Sequence, residues 1–423
     1  MQDLSKFKHY QTNNNIDLYI CSNNKFKTNL LQLYIMLPLK KETVSKTALI
    51  PYIMYRGSKK YPTSRDIKIK LDKLYGANLN LAVIKRGEIQ FVKFSLEVIN
   101  ENFLPDKEPL LGKAIILLNE ILTNPLFKEE YVEQEKKHII SEIKSLINDK
   151  YRYSIQRLYQ EMCKDEPYSI FKLGNIDECQ DINKDQLYHH YHNLLNNSHI
   201  KIFTVGDIDE EEVYQKINST FTFEHEQLQN YNKTIIKTVQ DEVNEVTEKM
   251  EVNQGKLVMG YRTAINKNHP LYYPLLVYNG ILGGFTHSKL FKNVREKASL
   301  AYYVKSSIES TKGLMTISSG IESKNYKKTR EIINKQVKKM KEGDFSEEEF
   351  DWTIKALSNR YKSSLDNMKG LTGHYLLGLI NNKPETIEQS LKNIKKAVKK
   401  QIVETAANIK LDTVYFLDKK VEN

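Results

Sequence analysis

A chain of 423 residues exceeds what one hydrophobic core normally serves, so two domains of about 200 residues each are expected. Apolar residues make up 40% and charged ones 28%, which excludes a disordered chain, and no run reaches the roughly 18 apolar residues of a membrane span. The net charge of +11 comes from lysines spread along the chain, as in KKMKEGD and KNIKKAVKK. Without a dense basic arm or a recognised motif, these read as solvated helix faces rather than a nucleic-acid surface.

The opening MQDLSKFKHYQTNNN is polar and carries Asp3, unlike a secretory signal or a transit peptide, so a cytoplasmic address is expected. Strands are expected at 16–21 and 29–38, leading into a helical stretch KTALIPYIMYRGS closed by Gly57. Thr63 or Ser64 caps a second helix, on which Ile67, Leu71 and Leu74 recur at helical spacing and which Gly76 ends. Two strands follow, the second alternating Phe94, Leu96 and Val98 against Ser95 and Glu97. From about 108 to 195 the pattern is helical, with Leu111, Ile115, Leu118 and Leu122 on one face and Ile139, Ile143 and Ile147 on another. The strand IKIFTVGD closes this half.

Residues 222–240 are polar and aperiodic and read as a linker, dividing an N-terminal domain (1–221) from a C-terminal one (241–423). The order of elements then begins again. GKLVMGYR reads as a strand, LYYPLLVYNGILGG and SKLFKNVREKAS as helices, AYYVKSSIES and LMTISSGIE as strands, and LDTVYFLD as a last strand after further helices. Two copies of one α+β unit are expected, each a mostly antiparallel sheet with helices on one face.

Cys21, Cys163 and Cys179 are odd in number and lack CxxC spacing, so free thiols are expected. His189, His190 and His192 cluster on a predicted helix where neighbouring residues point to different faces, which argues against a metal tract. Gly283-Gly284 reads as the start of a flexible loop, without the strand-to-helix context of a phosphate site.

Several stretches together carry a resemblance. Tyr55-Arg56-Gly57-Ser58 matches the aromatic-basic-Gly-Thr end of the helix that bears His-x-x-Glu-His in pitrilysin/insulinase-type zinc metallopeptidases. EEYVEQEKKHIISEI resembles the later helix that carries their third zinc ligand. DEPYSIFKLGN and IKIFTVGDID resemble further segments of the first domain, and LGGFTHSKLFKNVREKASLAYYV resembles the second domain's passage of Leu-Gly-Gly, Ser-x-Leu-Phe, Val-Arg-Glu and Leu-Ala-Tyr.

In that register the three chemical positions fall on Ala48, Pro51 and Tyr52, and the third-ligand position on Glu135. Two histidines one turn apart hold zinc on one helix face, and the intervening glutamate takes a proton from the metal-bound water. Alanine offers no donor, proline no acid, and neutral tyrosine is a poor ligand, so no metal is expected on this chain. Glu135 reads as a structural or vestigial helix residue.

Arg295 and Tyr302 match the family's arginine and tyrosine, which bind the substrate backbone and support the tetrahedral intermediate. A guanidinium and a phenol are both donors suited to developing negative charge. Alternatively Arg295 pairs with Glu296 or Glu309 and Tyr302 only packs.

The resemblance implies a subunit without catalytic residues of its own, paired as a heterodimer with a homologous chain that keeps the zinc. Two concave chains would then enclose a peptide substrate, with no membrane or nucleic-acid partner. The alternatives are a scaffold subunit without chemistry and, on net charge alone, a nucleic-acid-binding module.

Overall fold

The computed structural model describes residues 5–105, 107–225, 234–238 and 242–420. The first half runs β1 (Lys8–Gln11), β2 (Asp17–Ser22), β3 (Thr28–Pro38), α1 (Lys41–Arg56), α2 (Ser64–Asp72), β4 (Asn78–Arg86), β5 (Ile89–Ile99), α3 (Leu110–Thr123), α4 (Glu129–Asn148), α5 (Lys150–Met162), α6 (Ile176–Asp181), α7 (Lys184–Asn197), β6 (His199–Gly206) and α8 (Glu210–Thr220). The second runs β7 (Asn244–Met250), β8 (Gly255–Arg262), α9 (Tyr272–Asn279), π-helical turns at Gly280–Gly284 and Phe291–Lys297, β9 (Ala301–Glu309), β10 (Leu314–Ile321), α10 (Tyr326–Lys341), α11 (Glu347–Ser364), α12 (Met368–Ile380), α13 (Ile387–Lys395), α14 (Lys399–Asn408) and β11 (Lys410–Lys419).

The repeat read from element order is a repeat of topology. The first sheet has the order β1-β2-β6-β3-β5-β4 and the second β7-β11-β8-β10-β9. In the first, β2 and β6 are parallel and the pairs β6–β3, β3–β5 and β5–β4 antiparallel. In the second, β7 and β11 are parallel and the pairs β11–β8, β8–β10 and β10–β9 antiparallel. The copies therefore agree strand for strand, and β1 is an addition to the first. Neither β1 nor β7 shows in the apolar pattern, because KHYQ and NEVTEKM are polar edge strands that bury almost nothing.

Alternation along β3 aims Leu31, Leu33, Ile35 and Leu37 into a core shared with Ala48, Leu49, Ile50 and Ile53 of α1. Burying each such aliphatic side chain stabilises by about 1.5–3 kcal/mol. The second unit repeats the arrangement, with Leu257, Met259 and Tyr261 of β8 packed in one cluster with Leu275 and Tyr278 of α9.

The chain divides into two compact units that are not contiguous in sequence. One comprises Met1–Lys144, Ile170–Lys233 and Asn367–Gly373, the other Ser145–Ser169, Thr234–Asp366 and His374–Asn423. Each thus takes one segment from the opposite half of the chain. In the second unit, Leu158 of α5 packs with Val258, Tyr415 and Leu417, covering the sheet face that points away from α9. Arg262 fastens the end of that segment, donating to the Met162 carbonyl and the Glu166 carboxylate, each at 2.7 Å. In the first unit, Thr372 donates to Gln32 at 2.6 Å on the side of β3 away from the core. Part of the expected linker lies outside the described residues, and 222–225 and 234–238 carry no helix or strand.

Cys21, Cys163 and Cys179 are buried and form no disulfide among the described residues. Among the described residues no helix is long and apolar enough to cross a membrane.

Candidate functional site

The helix bearing the degenerate motif is held by its apolar stripe rather than by its caps. Lys40 at its start makes no side-chain cap, and Pro51 lies in its interior. Proline has no N–H for the Thr47 carbonyl one turn back, a defect of about 3 kcal/mol in an unsupported helix. Here the fully buried Ile50, Ile53 and Met54 secure the same turn. Gly57 ends the helix with φ 169, extended backbone open to any residue. It is glycine because an added Cβ would stand 2.2 Å from the Pro62 carbonyl oxygen.

Ala48 and Pro51 are buried, and Tyr52 is partly buried. Its ring meets that of His138 on α4 at 5.3 Å between centroids. Burial, then Glu142 and Glu135, push the Tyr52 phenol up to about 12, so it stays neutral. Glu135 lies one turn before His138 on α4 and is 4% exposed. Its carboxylate accepts from the Arg56 guanidinium at the end of α1. The structure thus brings the third-ligand position of the resemblance against the helix of the first two. An ion pair and a tyrosine–histidine contact fill this corner, and the donor set does not fit a zinc ion. Arg56 and His138 escaped the sequence reading as members of the cluster. The available signal was spacing, since Arg56 is four residues after Tyr52 and His138 three after Glu135.

Among the described residues no group of three or more His, Cys, Asp or Glu side chains is placed to hold a metal ion. His190 is buried against Thr47, 2.8 Å from its hydroxyl, while the ring of His192 meets those of Tyr188 and Tyr191.

In the second unit the expected flexible loop at Gly283-Gly284 is corrected. These residues form a π-helical continuation of α9, and position 283 is glycine because a Cβ there would come within 2.8 Å of the Ser306 backbone nitrogen on β9. The next π-helical turn carries Arg295. Ser299 then takes a left-handed φ of 51 and the Leu300 N–H bonds the Val294 carbonyl at 3.1 Å, turning the chain into β9.

Through that reversal Arg295 and Tyr302 come to line one depression of about 350 Å3, with Gln254 and Asn325 among its walls. Tyr302 is 76% exposed. The Arg295 guanidinium lies 4.7 Å over the Phe291 ring and has no acidic partner among the described residues, Glu296 and Glu309 included. Two donors face solvent here, neither neutralised.

Such a fold, an α+β unit used twice, defines a class, and comparison with known proteins agrees. The description "Peptidase M16 inactive domain" matches residues 181–357. Probable inactive metalloprotease YmfF of Bacillus subtilis is 40% identical over 405 residues, covering 94% of this chain and 95% of that protein. The uncharacterized zinc protease YmxG of the same organism is 20% identical over 370 residues, 85% of each. The crystal structure of a conserved protein from Enterococcus faecalis superposes with a TM-score of 0.91 at 29% identity, over 99% of both chains. The chain belongs to the peptidase M16 family.

Proposed function

We propose that this chain is catalytically silent alone and serves as the non-zinc-binding subunit of a heterodimeric zinc metallopeptidase, lending Arg295 and Tyr302 to the zinc site of a homologous partner. The reading is carried by one contrast. The first unit's motif positions are spent on packing and on the Arg56–Glu135 pair, while the second unit's Arg295, stacked on Phe291, and Tyr302 line one open depression. Relatives named zinc protease supply the kind of partner required. In such a pair the guanidinium and phenol would donate to the substrate's peptide oxygen as charge develops on it. An extended peptide added to an edge strand such as β4 or β9 would be held by main-chain hydrogen bonds, with little dependence on sequence.

The test is reconstitution with a zinc-bearing homologue. The isolated chain should hold no stoichiometric zinc and cleave no peptide. In the complex, Arg295→Ala and Tyr302→Phe should each lower turnover about a hundredfold or more, the scale of losing one oxyanion donor, with complex formation and zinc content unchanged. Unchanged turnover in both variants would favour a scaffold subunit instead.

A further inference from the structure

Tyr302 stands on a ridge. On one side is the depression shared with Arg295, and on the other a larger one of about 710 Å3, lined by Tyr151 at the start of α5, by Gln254 and by Lys256. Beside it, Lys256, Tyr303, Tyr151 and Lys305 form a ladder. The Lys256 ammonium lies 5.7 Å from the Tyr303 ring centre, the Tyr303 and Tyr151 rings meet edge to face at 5.4 Å, and the Lys305 ammonium lies 4.5 Å from the Tyr151 ring centre.

Gly320 on β10 makes this possible. A Cβ there would stand 2.6 Å from Cε1 of Tyr303 and 3.4 Å from Nζ of Lys256, so the missing side chain is the floor on which both lie.

Neither lysine has an acidic partner among the described residues, and partial burial draws the Lys256 pKa down. The Tyr303 hydroxyl is buried and makes no hydrogen bond among the described residues. Of the nearby acids, Asp149 pairs with Arg152 and Glu322 with Lys324, which leaves Glu251. Ammonium groups that lie on aromatic faces without an acidic partner form an acceptor-seeking surface.

We infer that the Lys256–Tyr303–Tyr151–Lys305 ladder is a carboxylate-recognition site, which selects peptides bearing an acidic side chain or a free terminal carboxylate next to the segment that meets Tyr302. This deepens, and rests on, the reading of Arg295 and Tyr302 as a substrate-facing pair. Its readout is separate: binding to the isolated full chain requires no partner and no turnover.

Fluorescently labelled peptides of one neutral sequence would carry either a single Glu or a Gln, each with a free or an amidated C-terminus, and anisotropy would report binding. The wild-type chain should prefer an acidic form over its neutral counterpart by about tenfold, the scale of one hydrogen bond to a charged group. Glu over Gln identifies a side-chain carboxylate, and free over amidated a terminal one. Lys256→Gln with Lys305→Gln should abolish the preference. Gly320→Ala, which closes the floor without changing charge, should weaken it, with melting curves confirming that both variants fold. Equal or undetectable binding of acidic and neutral forms to the wild type, or a preference that survives the double substitution, overturns the proposal. Loss of this preference alone leaves the turnover test of Arg295 and Tyr302 standing.

Discussion

Arg56 donates from the last turn of α1 to the carboxylate of Glu135 on α4, closing the corner between the two helices with an ion pair. The two ends differ in burial, the Glu135 side chain being 5% exposed and that of Arg56 34%. Removing the arginine therefore leaves a buried carboxylate uncompensated, while its own loss of packing is small. Arg56→Ala should destabilise the first unit by about 2–4 kcal/mol, below the full cost of breaking a wholly buried pair because Arg56 is partly solvated. Arg56→Met with Glu135→Met should recover most of that loss. Urea unfolding checks both, and a double variant no better than the single one would show that the pair is not the source of the effect.

Two histidines should weaken the fold toward acid. Burial, then Lys46 and His189, hold His190 down at about 4, and burial, then Lys267, does the same to His374. The unfolded chain titrates these groups near their ordinary value of about 6.5, so between roughly pH 6.5 and 4 it binds protons that the folded chain does not. Their contribution is fully present above about 6.5 and is lost as pH falls through that window, amounting for His190 to about 3 kcal/mol at the acid end. His190→Gln keeps a polar partner for Thr47 and removes the titration. Unfolding free energies measured across the window should fall less steeply in that variant, by about one proton, and an unchanged slope would remove His190 from the account.

These features divide by how local their causes are. The α1 stripe, the alternation in β3 and β5, the Thr63 cap with its reciprocal bond from Asp66 and the recurrence of element order are all set within a few residues of one another, and each was legible. So was the chemical emptiness of Ala48, Pro51 and Tyr52, which is a matter of side-chain type. What could not be read depends on partners distant in sequence. Helix was expected across α5, yet nothing local says that Leu158 packs against Val258 and Tyr415. Arg56 was read as a motif residue and not as the partner of Glu135, 79 positions away. The turn at Gly283-Gly284 was misread because glycine pairs signal loops on average, whereas here the missing Cβ admits the backbone of β9.

That close approach supports a comparison between two glycines. A Cβ on Gly283 would stand 2.7 Å from the Ser306 hydroxyl and 2.8 Å from both Cδ1 of Leu290 and the Ser306 backbone nitrogen. The side chains can swing aside, but the strand nitrogen cannot, because β9 is pinned to β10 along its length. Gly283→Ala should therefore cost about 1–3 kcal/mol by overpacking, and the strain falls at Leu290, where the turn carrying Arg295 begins. Gly373 in α12 has nothing within 4 Å of its added Cβ, so Gly373→Ala should be neutral or stabilising by up to about 1 kcal/mol through helix propensity. Paired thermal melts give the answer directly. Opposite signs follow if β9 is held against the π-helical turn as described, whereas similar small shifts in both variants would mean that the turn yields and that Arg295 is less firmly positioned than the geometry implies.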